Sequence, residues 1–546
     1  MRSVNLREVN CHEKRSEKRK KKGRIQVKEV NRTHIMRQFH ALSTLLASFA
    51  GNSRKVFIFA LFSGITFSFF SLFFIHDIYR DVANVYAYYA REISYGNWSE
   101  GWVGRVPMLN ILLSGILAKF RGIEAYKACV VISSLFYVLT LFPLRSLLNR
   151  YIAPVWSAWG CVLFIYAPKI IRFSVCGLID SSRYFFLILC LLYFFRIADK
   201  QFKRRNSVIL GLALAGLSVS RGEGFPIAIA ILTGLPLFFI LQQWKQNSKY
   251  NFKKYCAGYL LTWVIFAAGL MPFSYANLKF YHVFAPDLRF YEFFQSKINP
   301  PSTTTADINA SLEIKEKISE KLLGDVQKTL RGGYELYLLL AVIGACILLC
   351  RRKWNYEFSV LIICFTVHFL IYTQVISAYR YSIYLIPLFM PFTMTAIEAS
   401  AKFGKTLFLR RFSNGADGVI ILLAIGVISL LILQTINGLA CVTDRKDVPF
   451  RKTADFIRDY ASKHFPGRRV VVASTDCSIA VYWSGAVALW GYKQYELPEN
   501  QRYSTNFDLY LLARKNAKNI PDFYDSLQEI KPPEDLPIRI FRKKEK

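Results

Sequence analysis

The stretch SLFFIHDIYRDVANVYAYYAREISYGNW, residues 71–98, carries an apolar run directly into a histidine, two aspartates and an arginine, then into a ladder of tyrosines. Its apolar part begins earlier, as VFIFALFSGITFSFFSLFFI (56–75), and GVIILLAIGVISLLIL (418–433) is a second run of the same kind. Runs of about 20 apolar residues match the thickness of a hydrocarbon core. A chain of 546 residues that is 53% hydrophobic and 16% aromatic is too apolar for an ordinary soluble protein. The expected class is mainly α: a polytopic transmembrane helical bundle. About fifty polar and basic residues precede the first apolar run, so a cleavable signal is not expected there.

The net charge of +34 and the segment EKRSEKRKKKGR invite a nucleic-acid reading. Positive-inside topology explains them better, because Lys and Arg collect in cytoplasmic loops and tails. Nucleic acid is therefore not an expected partner, whereas membrane lipids, including anionic headgroups near the tail, are. No zinc spacing, phosphate-binding loop or dinucleotide fingerprint is present. Most of the eleven cysteines lie in apolar segments as small hydrophobes, and only Cys441 and Cys477 fall where a disulfide is open.

Spans are expected at 55–75, 125–146, 151–168, 179–196, 207–220, 223–243, 256–275, 334–350, 357–377, 381–398 and 417–437. The segment VPMLNILLSGILAKF (106–120) is read instead as an interfacial helix. With the N-terminus inside, the inner connections RSLLNR, RIADKQFKRRNS, QQWKQNSKYNFKKY, RRKW and AKFGKTLFLRRF all carry basic residues. Counting 106–120 as a span would reverse that pattern. About eleven spans follow. Residues 1–54 form a basic cytoplasmic tail, 55–438 the membrane domain with outer loops 76–124 and 276–333, and 439–546 a small outer α/β domain. In the tail, RKTADFIRDYASKHF has a helical pattern, whereas RRVVVAS, SIAVYW, DLYLLA and IRIF have strand-like ones.

An ionisable group inside lipid costs roughly 2.5–3.5 kcal/mol, so its placement needs a reason. Here Asp77, Asp81, Lys169, Arg172, Asp180, Arg183, Arg221, Glu223 and Arg380 all fall near outer helix ends. Charges gathered at one face suit a reaction centre at the membrane boundary. A transporter or lipid flippase would place polar groups or broken helices near the midplane, and it stands as the alternative.

The order of these motifs resembles the polytopic membrane glycosyltransferases of the C-type fold, the branch of protein O-mannosyltransferases and aminoarabinose transferases. The carrying residues are Asp81, Ala90, Arg91 and Gly96 in RDVANVYAYYAREISYGNW; Pro107 before a short amphipathic helix; Asp180 opening DSSRYFFLILCLLYFF; Arg221 and Glu223 in GLALAGLSVSRGEGF; and Arg380 with Tyr381 in YRYSIYLIPLFMPF. The likeness covers about 55–400. Val82 stands where the family often has an acid, and the spacing from Asp81 to the Ala-Arg pair is about one residue longer.

The resemblance implies transfer of a sugar, with inversion, from a polyprenyl-phosphate carrier to a lipid, glycan or protein acceptor. An inactive relative serving as a scaffold is a further alternative. The acceptor hydroxyl must lose a proton, which assigns Asp81 as general base, with Asp77 or His76 behind it. An N-capping role for Asp81 fits the same position. The departing lipid phosphate needs cations, and Arg221, Arg380, Lys169 and Arg172 are the candidates, with snorkelling to headgroups as the other reading. Asp180 and Glu223 either organise those cations and bind substrate or form structural ion pairs. Tyr381 joins the substrate-binding set. Tyr86, Tyr88, Tyr89 and Tyr95 stack on sugar or lipid or, more simply, form an aromatic belt. A divalent cation is conceivable, but no ligand pattern calls for one. Asn97-Trp98-Ser99 is a glycosylation acceptor pattern. The expected location is a bacterial inner or plasma membrane, or the endoplasmic reticulum in a eukaryote.

Overall fold

The computed structural model describes residues 48–74, 78–79, 81–198, 203–234, 252–288, 291, 335–350, 383–411, 433, 448–474, 478–489, 507–513, 527–530, 536 and 538–543. The basic tail before residue 48, the spans expected at 357–377 and 417–437 (save Leu433), and the middle of the second outer loop lie outside the described residues. So do His76, Asp77, Arg380, Tyr381, Cys441 and Cys477.

Helix α1, Ser53–Phe74, runs about 33 Å at 1.5 Å per residue, enough to cross a hydrocarbon core. It is apolar all round, and Phe62 and Phe69 stay exposed on the protein, as lipid-facing side chains do. After the loop comes a π-helical turn, Val82–Tyr86, continuous with α2, Ala87–Ser94. Gly96, at φ 86°, ends this segment in the left-handed region that glycine enters at little cost. Helix α3, Met108–Arg121, is about 21 Å long and too short to cross. It packs on α2 through Gly115, where an added Cβ would lie 2.9 Å from the Ala90 carbonyl oxygen.

Helices α4, Ala125–Leu139, and α5, Leu141–Leu148, join through helical Thr140 into one 24-residue span. Helices α6, Pro154–Ile165, and α7, Pro168–Ser174, meet at a 61° bend. Pro168 lacks an N–H and pushes Ala167 into extended backbone, which breaks the helix between them. Then follow α8, Asp180–Ala198; α9, Arg204–Ser220; α10, Gly224–Gly234; α11, Phe252–Tyr281; α12, Glu335–Cys350; and α13, Leu385–Arg411. Helices α8, α9 and α11 pack in succession, as do α12 and α13. Among the described residues three helices are long and apolar enough to cross a membrane, so the chain is an integral membrane protein.

The last unit begins with α14, Val448–His464, and holds a five-stranded mixed sheet ordered β2-β1-β3-β5-β4. The strands are β1, Val471–Ser474; β2, Val487–Leu489; β3, Leu509–Ala513; β4, Leu527–Ile530; and β5, Ile538–Lys543. β2-β1-β3 run parallel, while β3-β5 and β5-β4 are antiparallel. SIAVYW is not a strand: it folds as helix α15, Ser478–Ser484. Ala480 and Val481 enter the sheet's core, while Ile479, Tyr482 and Trp483 pack on the helical bundle. A segment buried on two sides loses the polar face that distinguishes helix from strand. The tyrosine ladder is also corrected: Tyr88 and Tyr89 are buried in the bundle core, and Tyr95 alone of the four is exposed.

Candidate functional site

Four of the charges expected at outer helix ends, Asp180, Arg183, Arg221 and Glu223, form one buried cluster. Asp180 opens α8, where a carboxylate complements the positive helix end, and Arg183 follows one turn later on the same face. Arg221 and Glu223 come from the break after α9. Arg221 Nη1 donates to Asp180, and its Nε lies 2.7 Å from Glu223 Oε1. Arg183 Nη1 donates to that same Glu223 oxygen, and its Nη2 lies 3.9 Å from Asp180 Oδ1. The Arg183 guanidinium also sits 4.0 Å over the Tyr384 ring, tying in the segment that leads to α13. Two carboxylates and two guanidiniums make the cluster neutral, which is what allows its near-complete burial.

This geometry bears on the expected roles. Arg221 spends two donors on carboxylates, so the structural ion-pair reading describes its contacts here. Arg183, given no role from sequence, is the most deeply buried of the four cations and acids together with Asp180. Its spacing from Asp180 was the available signal.

Asp81 opens the π-helical turn at Val82–Tyr86. Its backbone is already helical, and its side chain makes no capping hydrogen bond, so the N-cap alternative is not what the fold uses. The π turn that follows it takes up an extra residue relative to α-helix, in line with the longer spacing to Ala90 and Arg91. Around Asp81 the chain lies against the α7–α8 corner. Tyr79 meets Phe173 edge-on at 6.4 Å, and Ser71 Oγ donates to the Val175 carbonyl. A Cβ placed on Gly177 would lie 3.3 Å from Val82 Cγ1. Helix α7 carries Lys169 and Arg172, both half-buried, and Arg172 lies 5.4 Å over the Phe173 ring. The Asp81 turn, the α7 cations and the Asp180 end of α8 therefore belong to one corner of the bundle.

A second polar cluster joins the bundle to the sheet unit. Both oxygens of Glu92 accept from Arg469 at 2.8 Å, and Asn97 Nδ2 donates to Oε2 at 3.1 Å. Arg91 donates to the carbonyls of Tyr482 at 2.7 Å and Ala486 at 2.9 Å. Arg91, carried over from the family motif, thus holds the end of α15. The acceptor-pattern asparagine, Asn97, uses its amide in the same cluster. Burial pushes the Glu92 carboxyl up, but hydrogen bonds from Arg469 and Asn97 and the adjacent guanidinium charges outweigh it and hold the group below its ordinary value. A depressed carboxylate stabilises the fold above its unfolded pKa and loses that contribution as pH falls through the folded value. Wild-type protein should therefore melt above Glu92→Gln at neutral pH, with the gap closing only in acid, below about pH 4. Thermal melts in detergent across pH check this.

Among the described residues no group of three or more His, Cys, Asp or Glu converges to hold a metal. Asp180 and Glu223 have their charge neutralised by arginines and do not fit a divalent cation.

No protein-family model matches this sequence, and no curated protein matches it. Solved structures do match. The crystal structure of ArnT from Cupriavidus metallidurans bound to undecaprenyl phosphate superposes with a TM-score of 0.57 at 11% identity, over 89% of this chain and 97% of that one. The Archaeoglobus fulgidus oligosaccharyltransferase, tethered to an acceptor peptide containing the NVT sequon, gives 0.55 at 13% identity, over 84% of this chain and 69% of that one. Its complex with zinc and sulfate gives 0.54 at 12%, over 84% and 68%. With most of both chains superposed and the bundle and sheet arranged as described, this chain has the C-type fold of polytopic membrane glycosyltransferases.

Proposed function

We propose that the chain is a membrane glycosyltransferase. It takes a sugar from a polyprenyl-phosphate carrier and places it, with inversion, on an acceptor at the non-cytoplasmic face. The observation that carries this reading is the packing of the Asp81 turn on the corner that bears Lys169 and Arg172. A base for the acceptor and cations for the leaving phosphate then share one site.

Asp81 takes the proton from the acceptor hydroxyl as that oxygen attacks the anomeric carbon. The bond to the lipid phosphate breaks on the opposite side, and Lys169 and Arg172 neutralise the charge that gathers there. Asp77, Arg380 and Tyr381 are further substrate-binding residues in this reading. Asp180 and Glu223 hold Arg183 and Arg221, which gives the site a rigid floor. Support for the substrates comes from the neighbours: ArnT was solved with undecaprenyl phosphate, and the oligosaccharyltransferase with an acceptor peptide. The topology that goes with it has eleven spans, the N-terminus inside and the sheet unit outside, in a bacterial inner membrane or an endoplasmic reticulum.

Purified protein incubated with radiolabelled polyprenyl-phosphate sugars and membrane extract should yield label covalently bound to an acceptor. Uptake into proteoliposomes with no covalent product would instead establish transport, and neither result would leave a scaffold.

A further inference from the structure

Residues 81–94 form one unbroken helical segment, with Asp81 at its start and Arg91 and Glu92 near its end. Asp81 and Arg91 are about 15 Å apart along it. The sheet unit grips this segment at both places. At the far end, Arg469 takes both oxygens of Glu92, and Arg91 takes two carbonyls of the α15 region. At the near end, α15 packs against the π turn itself. Tyr482 ties the joint to a third element, since its hydroxyl accepts from the Tyr126 backbone N–H, in the first turn of α4, at 3.0 Å. Trp483 adds an edge-on contact with Tyr126 at 6.2 Å.

A π turn is a rare geometry, found mostly as a single turn within an α-helix. Relaxing it to α-helix shifts the register by one residue and swings Asp81 about 100° around the axis. The end of the segment beyond the turn must therefore be held from outside if Asp81 is to keep one direction. We propose that Arg469 and Tyr482 are positioning residues for the transfer reaction: the sheet unit braces the helical segment that carries Asp81 and so sets the aim of its carboxylate. The inference rests on the function proposed above.

Arg469 is partly exposed, so Arg469→Ala removes its grip on Glu92 without opening the core, and Arg91 and Asn97 still meet that carboxylate. In the full-length protein its kcat should fall about tenfold or more, because small misplacements of a catalytic group are costly. The KM for donor should stay within about twofold, as only transition-state interactions are lost. Arg469→Lys, which keeps the charge without the fork, should fall between, and Tyr482→Phe should lower kcat in the same way. Amide exchange across 82–89 should accelerate in Arg469→Ala while that of α8 and α9 stays as in wild type. Wild-type kcat together with unchanged exchange at 82–89 in both variants would overturn the brace. An Asp81→Asn control separates the two failures. If it keeps full transfer, the base assignment is wrong and exchange alone judges the brace. If it is inactive while the brace variants behave as wild type, only the brace is wrong.

Discussion

The Asp81→Asn protein is expected to insert and fold as wild type yet to transfer sugar about 10²- to 10⁴-fold more slowly, the range general-base catalysis supplies. Asparagine keeps the shape of the side chain but cannot accept the acceptor's proton. Helix capping is no objection to such a variant, since asparagine caps a helix about as well as aspartate. Asp81 in any case makes no capping bond through its side chain. The substitution therefore leaves the start of the helical segment as it is. Initial rates with a labelled donor, set beside the melting temperature, test it. A rate within a factor of two of wild type removes Asp81 from the mechanism.

The second large effect concerns stability. Glu223→Ala removes the carboxylate oxygen that both Arg183 and Arg221 meet, while the Arg183 guanidinium stays fully buried. Breaking a buried pair from one side costs about 3–5 kcal/mol, against a total stability of about 5–15 kcal/mol for a typical domain. The expected result is a large loss of monodisperse protein by size-exclusion chromatography in detergent. Removing Glu223 and Arg183 together, as Glu223→Gln with Arg183→Met, removes both charges of that contact and should recover much of the loss, because no charge is then left stranded between them. Recovery smaller than about 1 kcal/mol would mean that the pair is not what holds the corner together.

Membrane helices were readable because a hydrophobic run long enough to span has few other uses. α1, the 125–148 span and α11 stand where the apolar runs put them. The basic residues ending 106–120 and the charge of the later loops marked α3 as a helix that does not cross, and the period of RKTADFIRDYASKHF located α14. What failed was any reading that needed a partner distant in sequence. SIAVYW carries no polar face because two different cores claim it. Arg91 stood out only as a motif residue and Glu92 not at all, yet both bind the sheet unit through residues that share no local pattern with them. The paired acids and arginines at 180–223 announced a cluster, but which nitrogen meets which oxygen is decided by how α8 leans on α9. The tyrosines at 88 and 89 fell on the inward side of a helix too short for its period to show which side that was.

The joint around Arg91 also has a history in time. Its halves are separated by 391 residues, from Arg91 to Tyr482. At ordinary elongation rates, roughly 20–80 s pass between the synthesis of the two. During that interval an arginine and a glutamate destined for burial must stay wetted, and a nascent bundle lacks its final clasp. Closure of the joint on the helical segment thus waits until Arg469, Tyr482 and Ala486 have been made.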